Sequence, residues 1–370
     1  MNFDFSDDFK LLREQARKFL AQHCSRTVVR GVFEGGAPYD AALWRAMAAM
    51  GWLGAAIPDA YGGAALGYDG LCVLAEELGY ALAPVPFSSS IYLAAEAILA
   101  AGSEAQKQRH LPALIAGRRI ATLALAEGPG HPGGTDMKAR VNRGALSGSK
   151  FPVPDGDIAD VAVVGAADEQ GKIGLYLVEL AESGVSRSPL KSLDQSRPQA
   201  RIRFDAVRCE PLLADGGIAA LGRLFDRAAI LMAFEQVGGA TACLDMAKAY
   251  AHERYAFGRP IGSFQAIAHK LADVYVAIEL ARSNAYYGAW ALATDAAELT
   301  IAAAAARVSA IQAYERAAAE NIQTHGGMGF TWESDCHLHY RRAKLLATTI
   351  GSAPYWKDRL ITALERRNTP

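Results

Sequence analysis

Apolar positions recur along this chain in two rhythms, and the changes of rhythm divide it into three. From the N-terminus the spacing is helical: Phe9, Leu12, Ala16, Phe19 and Leu20 fall on one helix face. Ser6 followed by Asp7 and Asp8 predicts a helix start, a cap with acidic residues in the first turn. Further helices are predicted from about Asp40 to Met50 and from about Gly70 to Leu82, and the glycine-rich IPDAYGGAALGYDG between them has to be loop. From residue 119 the period falls to two. Ile173, Leu175 and Leu177 alternate with Gly174, Tyr176 and Val178, and Ala200, Ile202 and Phe204 alternate with Arg201, Arg203 and Asp205. This predicts short strands, with VAVV at 161–164 as another and EGPGHPGG and FPVPDGD as the punctuation. Long helical stretches then return, near 218–253, 264–294, 296–324 and 335–365, the last of them broken. Their length suits a bundle. The expected fold is therefore α+β and multidomain: an N-terminal helical domain (1–118), a central β-barrel-like domain of short strands (119–212) and a C-terminal four-helix bundle (213–370).

Composition narrows the function classes. Apolar residues make up 51% of the 370 and charged residues 21%, an ordinary globular balance. The formal net charge of -1 argues against a nucleic-acid binder, which needs a basic excess. Five cysteines, Cys24, Cys72, Cys209, Cys243 and Cys336, are widely spaced and form no CxxC pair, as expected of reduced thiols in a cytoplasmic protein. The N-terminus is acidic and then amphipathic, unlike a signal peptide, and no apolar run is long enough for a membrane span. The histidines, including His325, His337 and His339, show no zinc spacing, so no metal is expected.

Two loops carry more chemistry than a loop requires. RYAFGRPIGSFQ at 254–265 interrupts two helices with Arg254, Phe257, Phe264 and Gln265 around Gly258, Pro260 and Gly262. A cation, exposed N–H groups and an amide suit a pyrophosphate with an attached ring, although a basic helix C-cap would also explain Arg254. QTHGGMGFTWE at 323–333 follows another long helix, and its glycines let a ligand approach the backbone, although a glycine-rich C-cap is the simpler reading.

Together these stretches resemble the acyl-CoA dehydrogenase family: R-x-x-F-G-x-P-I-x-x-F-Q, followed in the later helix by Q-x-x-G-G-x-G. The helix–β–helix order extends the resemblance over essentially the whole chain. It implies FAD, an acyl-CoA thioester substrate, α,β-desaturation, and a dimer or dimer of dimers in which one bundle grips the ADP half of its neighbour's FAD. By resemblance, Arg254, Phe257, Phe264, Gln265, Gln323, Gly326 and Gly327 form that grip, with Ala256 where many members have a hydroxyl residue. An electron-transfer flavoprotein is the expected electron acceptor.

The desaturation needs a carboxylate within reach of the α-proton. The family's usual base falls at Ile350 of TTIGS, and the alternative position, counted back from Arg254, falls at Ala228. Neither can take a proton. Asp226 matches a family aspartate near the CoA, while Ala229 stands where many members have Arg. Glu235, seven residues beyond Ala228, lies on roughly the same helix face and is the candidate substitute base; pairing with a neighbouring helix is its structural alternative. Glu333 is a second candidate, with a solvated charge as its alternative. The flavin-ring stretch is also altered. AEGPGHPGGTD retains Glu127 and offers Thr135 and Asp136 as a substitute Ser-Asp pair, and PVP at 152–154 stands for Trp-Ile-Thr. Thr135 and Asp226 are thus the candidate substrate-binding residues.

The leading expectation is a subunit of a heteromeric, α2β2 tetrameric acyl-CoA dehydrogenase that supplies the ADP-side clamp to a related, catalytic chain. By analogy its substrate would be a bulky or unusual acyl group, such as a sterol side chain or a dicarboxyl chain. The alternatives are a self-sufficient homotetramer that uses a carboxylate such as Glu235, and a non-catalytic scaffold that binds CoA thioesters or a partner without flavin.

Overall fold

The computed structural model describes residues 5–130, 132–133, 136–213 and 217–368. The N-terminal helices are α1 (Asp7–His23), α2 (Arg26–Phe33), α3 (Ala41–Ala49), α4 (Gly67–Ala81), α5 (Glu96–Ala101) and α6 (Glu104–Ile115), with a π-helical segment over Ser88–Ala95. Eight strands follow: β1 (Ala121–Ala124), β2 (Arg140–Asn142), β3 (Ala145–Pro154), β4 (Val161–Ala167), β5 (Ile173–Glu179), β6 (Val185–Leu190), β7 (Gln199–Arg208) and β8 (Glu210–Leu213). The rest is α7 (Gly217–Glu253), a hairpin of β9 (Tyr255–Ala256) and β10 (Arg259–Pro260), α8 (Gln265–Ala293), α9 (Leu299–His325), α10 (Cys336–Leu346) and α11 (Ala353–Asn368). This is the expected order of helices, short strands and helices. No helix among the described residues is long and apolar enough to cross a membrane.

The described residues form two compact units, one drawn from 1–29, 68–83 and 229–370, the other from 30–67 and 84–228. In the second, the sheet runs β6-β7-β3-β2-β4-β5-β8. β1 pairs in parallel with β4, from Ala121↔Val161 to Ala124↔Val164, and its continuation bridges β3 at Glu127↔Phe151. β7 keeps the alternation read from its sequence. β5 does not, because Gly174 and Val178 are buried along with Ile173, Leu175 and Leu177. A strand covered on both faces has no polar side, so its period of two carries no information about burial.

Ser6 does occupy the N-cap of α1, but its side chain caps nothing. Asp40 caps α3 instead, accepting the N–H of Leu43 at 2.6 Å. The short helix α2 was not anticipated from the apolar spacing.

The helical unit is held by close backbone approach and by buried charge. A Cβ on Gly79 of α4 would lie 1.8 Å from the carbonyl oxygen of Glu235 on α7, and one on Gly238 of α7 would lie 1.8 Å from that of Glu76 on α4. The crossing of α4 and α7 therefore admits only glycine at both points. Gly79→Ala is expected to cost about 3 kcal/mol, since backbone rather than a flexible side chain must give way. A urea denaturation midpoint close to wild type would refute this. Beside the crossing, Glu76 accepts from Arg13 at 3.0 Å and from Arg282, and Glu77 accepts from Arg17 at 2.9 Å. Each of the five cysteines is a buried thiol.

Candidate functional site

Three helix ends meet at one end of the helical unit: the C-termini of α7 and α9 and the N-terminus of α8. Arg254 follows the last turn of α7 and its N–H donates to Tyr250 O at 2.8 Å. The Tyr250 and His325 rings stack with centroids 4.2 Å apart, which ties the end of α7 to the end of α9. Lys270 of α8 pairs with Glu320 of α9 at 3.5 Å. The fold thus gathers Arg254, Phe257, Phe264 and Gln265 with Gln323, Gly326 and Gly327, residues from two distant stretches of chain.

The hairpin is built to present side chains outward. Phe257 and Gly258 at its tip have φ of 52° and 79°, the positive values that a tight two-residue turn demands. Glycine takes them freely, whereas a bulky aromatic does so at a cost of about 1–3 kcal/mol. Phe257 is nevertheless 95% exposed, so nothing in this chain's core offsets that cost. Phe264 anchors the base of the hairpin, with the Arg259 guanidinium 4.0 Å above its ring and Phe257 edge-on at 6.2 Å. Phe264 is also the N-cap of α8 and has no side-chain oxygen to cap it; its carbonyl takes the N–H groups of Ile267 and Ala268 at 3.0 Å, which leaves those of Gln265 and Ala266 for a ligand. A helix N-terminus beside a guanidinium, here that of Arg259 over the Phe264 ring, suits a phosphate group.

Gly326 has φ 61° and ψ −136°, a conformation reserved for glycine. Gly327 has no positive φ, and a Cβ there would meet nothing within 4 Å. No requirement of this chain explains its missing side chain. Gly327→Ala should therefore leave the thermal midpoint unchanged or slightly raised. A drop of several degrees would show that the glycine serves the fold.

The expected base positions are apolar and buried. Ala228 is fully buried and Ile350 is 2% exposed, in a turn whose next residue, Gly351, keeps a φ of 115°. Glu235 is also buried, and its Oε1 lies 3.7 Å from Nη1 of Arg342. Its neighbour Arg307 is fully buried; burial pulls that guanidinium down to about 9, against the opposing pull of Glu235. Arg307 donates to Gln236 Oε1 and to Leu346 O. Close by, His339 is held well below the usual imidazole range by burial and by Arg26 and Arg342, and its Nδ1 lies 3.1 Å from the Tyr314 hydroxyl. Glu333 is exposed.

The chain matches the acyl-CoA dehydrogenase N-terminal domain over residues 6–118 and the acyl-CoA dehydrogenase C-terminal domain over 215–360. It is 34% identical over 340 residues to the acyl-CoA dehydrogenase IpdE2 of Mycobacterium tuberculosis, covering 91% of each chain. It belongs to the acyl-CoA dehydrogenase family. Among solved structures it resembles the Tcur3481-Tcur3483 steroid ACAD G363A variant, with a TM-score of 0.89 and 31% identity over 98% of both chains. It also resembles the ChsE4-ChsE5 complex from Mycobacterium tuberculosis, with a TM-score of 0.90 and 27% identity over the full length of both.

Acyl-CoA dehydrogenases of this fold carry FAD, and the two stretches of this chain expected to meet it differ in fit. The helix-end site has groups that suit the ADP half: exposed arginines, the first N–H groups of α8 and a glycine with open space over it. The ring stretch does not. Lys150 is fully buried and spends its ammonium on Glu127 at 2.7 Å and Leu125 O at 3.0 Å. Burial works to raise the Glu127 carboxyl, but Lys150 and the N–H groups of Ala139 and Lys138 outweigh it and hold it below the usual range. Glu127 is therefore a fastener for the loop that leads to β2. Over 151–154, Phe151 N–H is taken by Ala126 O at 2.7 Å, Pro152 and Pro154 have none, and Val153 is paired with Ala200. The Arg201 guanidinium lies 3.6 Å over the Phe151 ring, in the position next to the absent indole.

Asp226 is 1% exposed on α7, and Thr135 lies outside the described residues. Tyr250 was not legible as part of the site, since a tyrosine four residues before an arginine in a helix is unremarkable until its ring partner is known. His325 stood in view, within the glycine loop, but without a role.

Proposed function

We propose that this chain is the clamp subunit of a heteromeric acyl-CoA dehydrogenase, holding the ADP half of an FAD whose ring is used in a related partner chain. One asymmetry supports this reading: Arg254 and Phe257 are exposed, the α8 N-terminus has no side-chain cap and Gly327 has open space over it, while Ala228 and Ile350 leave this chain without the usual proton acceptors. When bound, FAD accepts the β-hydride of the acyl chain. This chain's residues position it. Arg254 and the first N–H groups of α8 would hold the pyrophosphate, Gly327 would let the diphosphate approach the backbone, and Gln265 and Gln323 would offer amides to it. The α-proton goes to a carboxylate of the partner.

Exposed apolar side chains agree with assembly: Phe330 is 82% exposed, Leu280 62%, Met328 57% and Tyr275 56%. The likeness to a steroid ACAD supports a bulky, steroid-derived acyl-CoA substrate rather than a plain fatty acyl chain; the acceptor is the electron-transfer flavoprotein that the family implies. Glu235 is a structural ion-pair residue in this reading. The test is the visible spectrum of the chain purified alone and after co-expression with a related chain that carries a glutamate at either base position. Flavin bands only on co-expression are expected. A full flavin complement in the chain alone, bleached by an acyl-CoA, would replace this reading with the self-sufficient enzyme.

A further inference from the structure

The two halves of the clamp come from chain segments about seventy residues apart, and contacts between α7 and α9 set their relative position. The ring stack of Tyr250 and His325, 4.2 Å between centroids and 25° between planes, joins them most directly. Tyr250 lies one helical turn before Arg254 and accepts its N–H at 2.8 Å, so a shift of Tyr250 carries Arg254 with it. His325 immediately precedes Gly326, and its Nδ1 lies 2.8 Å from the Asn321 carbonyl one turn back on α9. The imidazole thus does two things that no other side chain here combines. It presents a flat face to Tyr250, and it is pinned to its own helix so that the face cannot rotate. Among the described residues, weaker links between these helix ends include an amide-to-thioether contact from Asn321 to Met246 at 3.8 Å and the half-exposed Lys270–Glu320 pair to α8.

We infer that Tyr250 and His325 are positioning residues for the nucleotide clamp, setting the separation between Arg254 and the Gly326–Gly327 backbone. The inference rests on the clamp reading above. Both rings remain partly exposed, so the stack adds only modestly to folding stability. Its effect should instead appear in ligand affinity.

The test uses the assembled flavoprotein, stripped of flavin and titrated with FAD, with the thermal midpoint of each variant recorded alongside. Tyr250→Ala and His325→Ala should each weaken FAD binding about tenfold, the usual scale for loss of a supporting contact, with little change in the midpoint. Tyr250→Phe, which keeps the ring, should rescue affinity. His325→Phe, which keeps the face and loses the pin, should fall between. Wild-type affinity in both alanine variants while Arg254→Ala binds weakly would overturn the positioning role alone. Wild-type affinity in Arg254→Ala as well would overturn the clamp reading and this inference with it. A loss of affinity that tracks a fall in midpoint, and that Tyr250→Phe does not rescue, would make the stack a fold contact and sink the inference.

Discussion

Arg254→Ala should strip flavin from the assembled enzyme. A guanidinium that pairs with pyrophosphate oxygens makes charge-assisted, often bidentate hydrogen bonds, and truncating one partner of such a pair costs about 3 kcal/mol, on the order of 100-fold in affinity. The side chain is exposed in the isolated chain and contributes little to its fold, so circular dichroism and the thermal midpoint should be unchanged. Arg254→Lys should recover only part of the loss, because an ammonium cannot match the fork geometry. The measurement is the ratio of flavin absorbance to protein after purification of the complex, followed by FAD titration of the stripped form. Undiminished flavin in Arg254→Ala would mean that the exposed guanidinium, the uncapped α8 and the open Gly327 do not act together on one ligand.

Glu235→Ala should unfold the protein rather than merely silence it. The carboxylate is 3% exposed and stands between Arg342 and Arg307, both at 1% or less. Removing it leaves buried guanidinium groups without their counter-charge, which costs about 3–5 kcal/mol, a large part of a typical domain's stability. Glu235→Gln should be milder, since it keeps the side chain's volume and an oxygen dipole within 3.7 Å of the Arg342 guanidinium while losing only the charge. The base hypothesis makes the opposite forecast: Glu235→Gln folds as wild type and loses turnover by orders of magnitude. Denaturation midpoints and turnover of the co-expressed complex, measured on the same two variants, separate the possibilities. Full stability with no turnover would restore Glu235 as the base.

Much of the architecture was legible because it follows from local rules. The long helices were placed near 218–253, 264–294 and 296–324, and they occur at Gly217–Glu253, Gln265–Ala293 and Leu299–His325. Helix ends at proline and glycine are local events. β7 kept its alternation because one face packs and the other is wet. β5 lost it because both faces are covered, a fact that belongs to its neighbours and not to its own residues.

Side-chain roles divide in the same way. The apolar character of Ala228 and Ile350 could be read directly, since a residue type excludes chemistry wherever it sits. Which cation meets Glu235 could not, because Arg342 and Arg307 are distant in the chain and become neighbours only when α7, α9 and α10 pack together. The same holds for Lys150 on Glu127, and for the Tyr250–His325 stack. Residue type and local spacing determined the family, the order of elements and the absence of a base in its usual places. Folding alone decided which charges are balanced and which backbone is open to a ligand, because both depend on contacts between segments whose meeting no local pattern records.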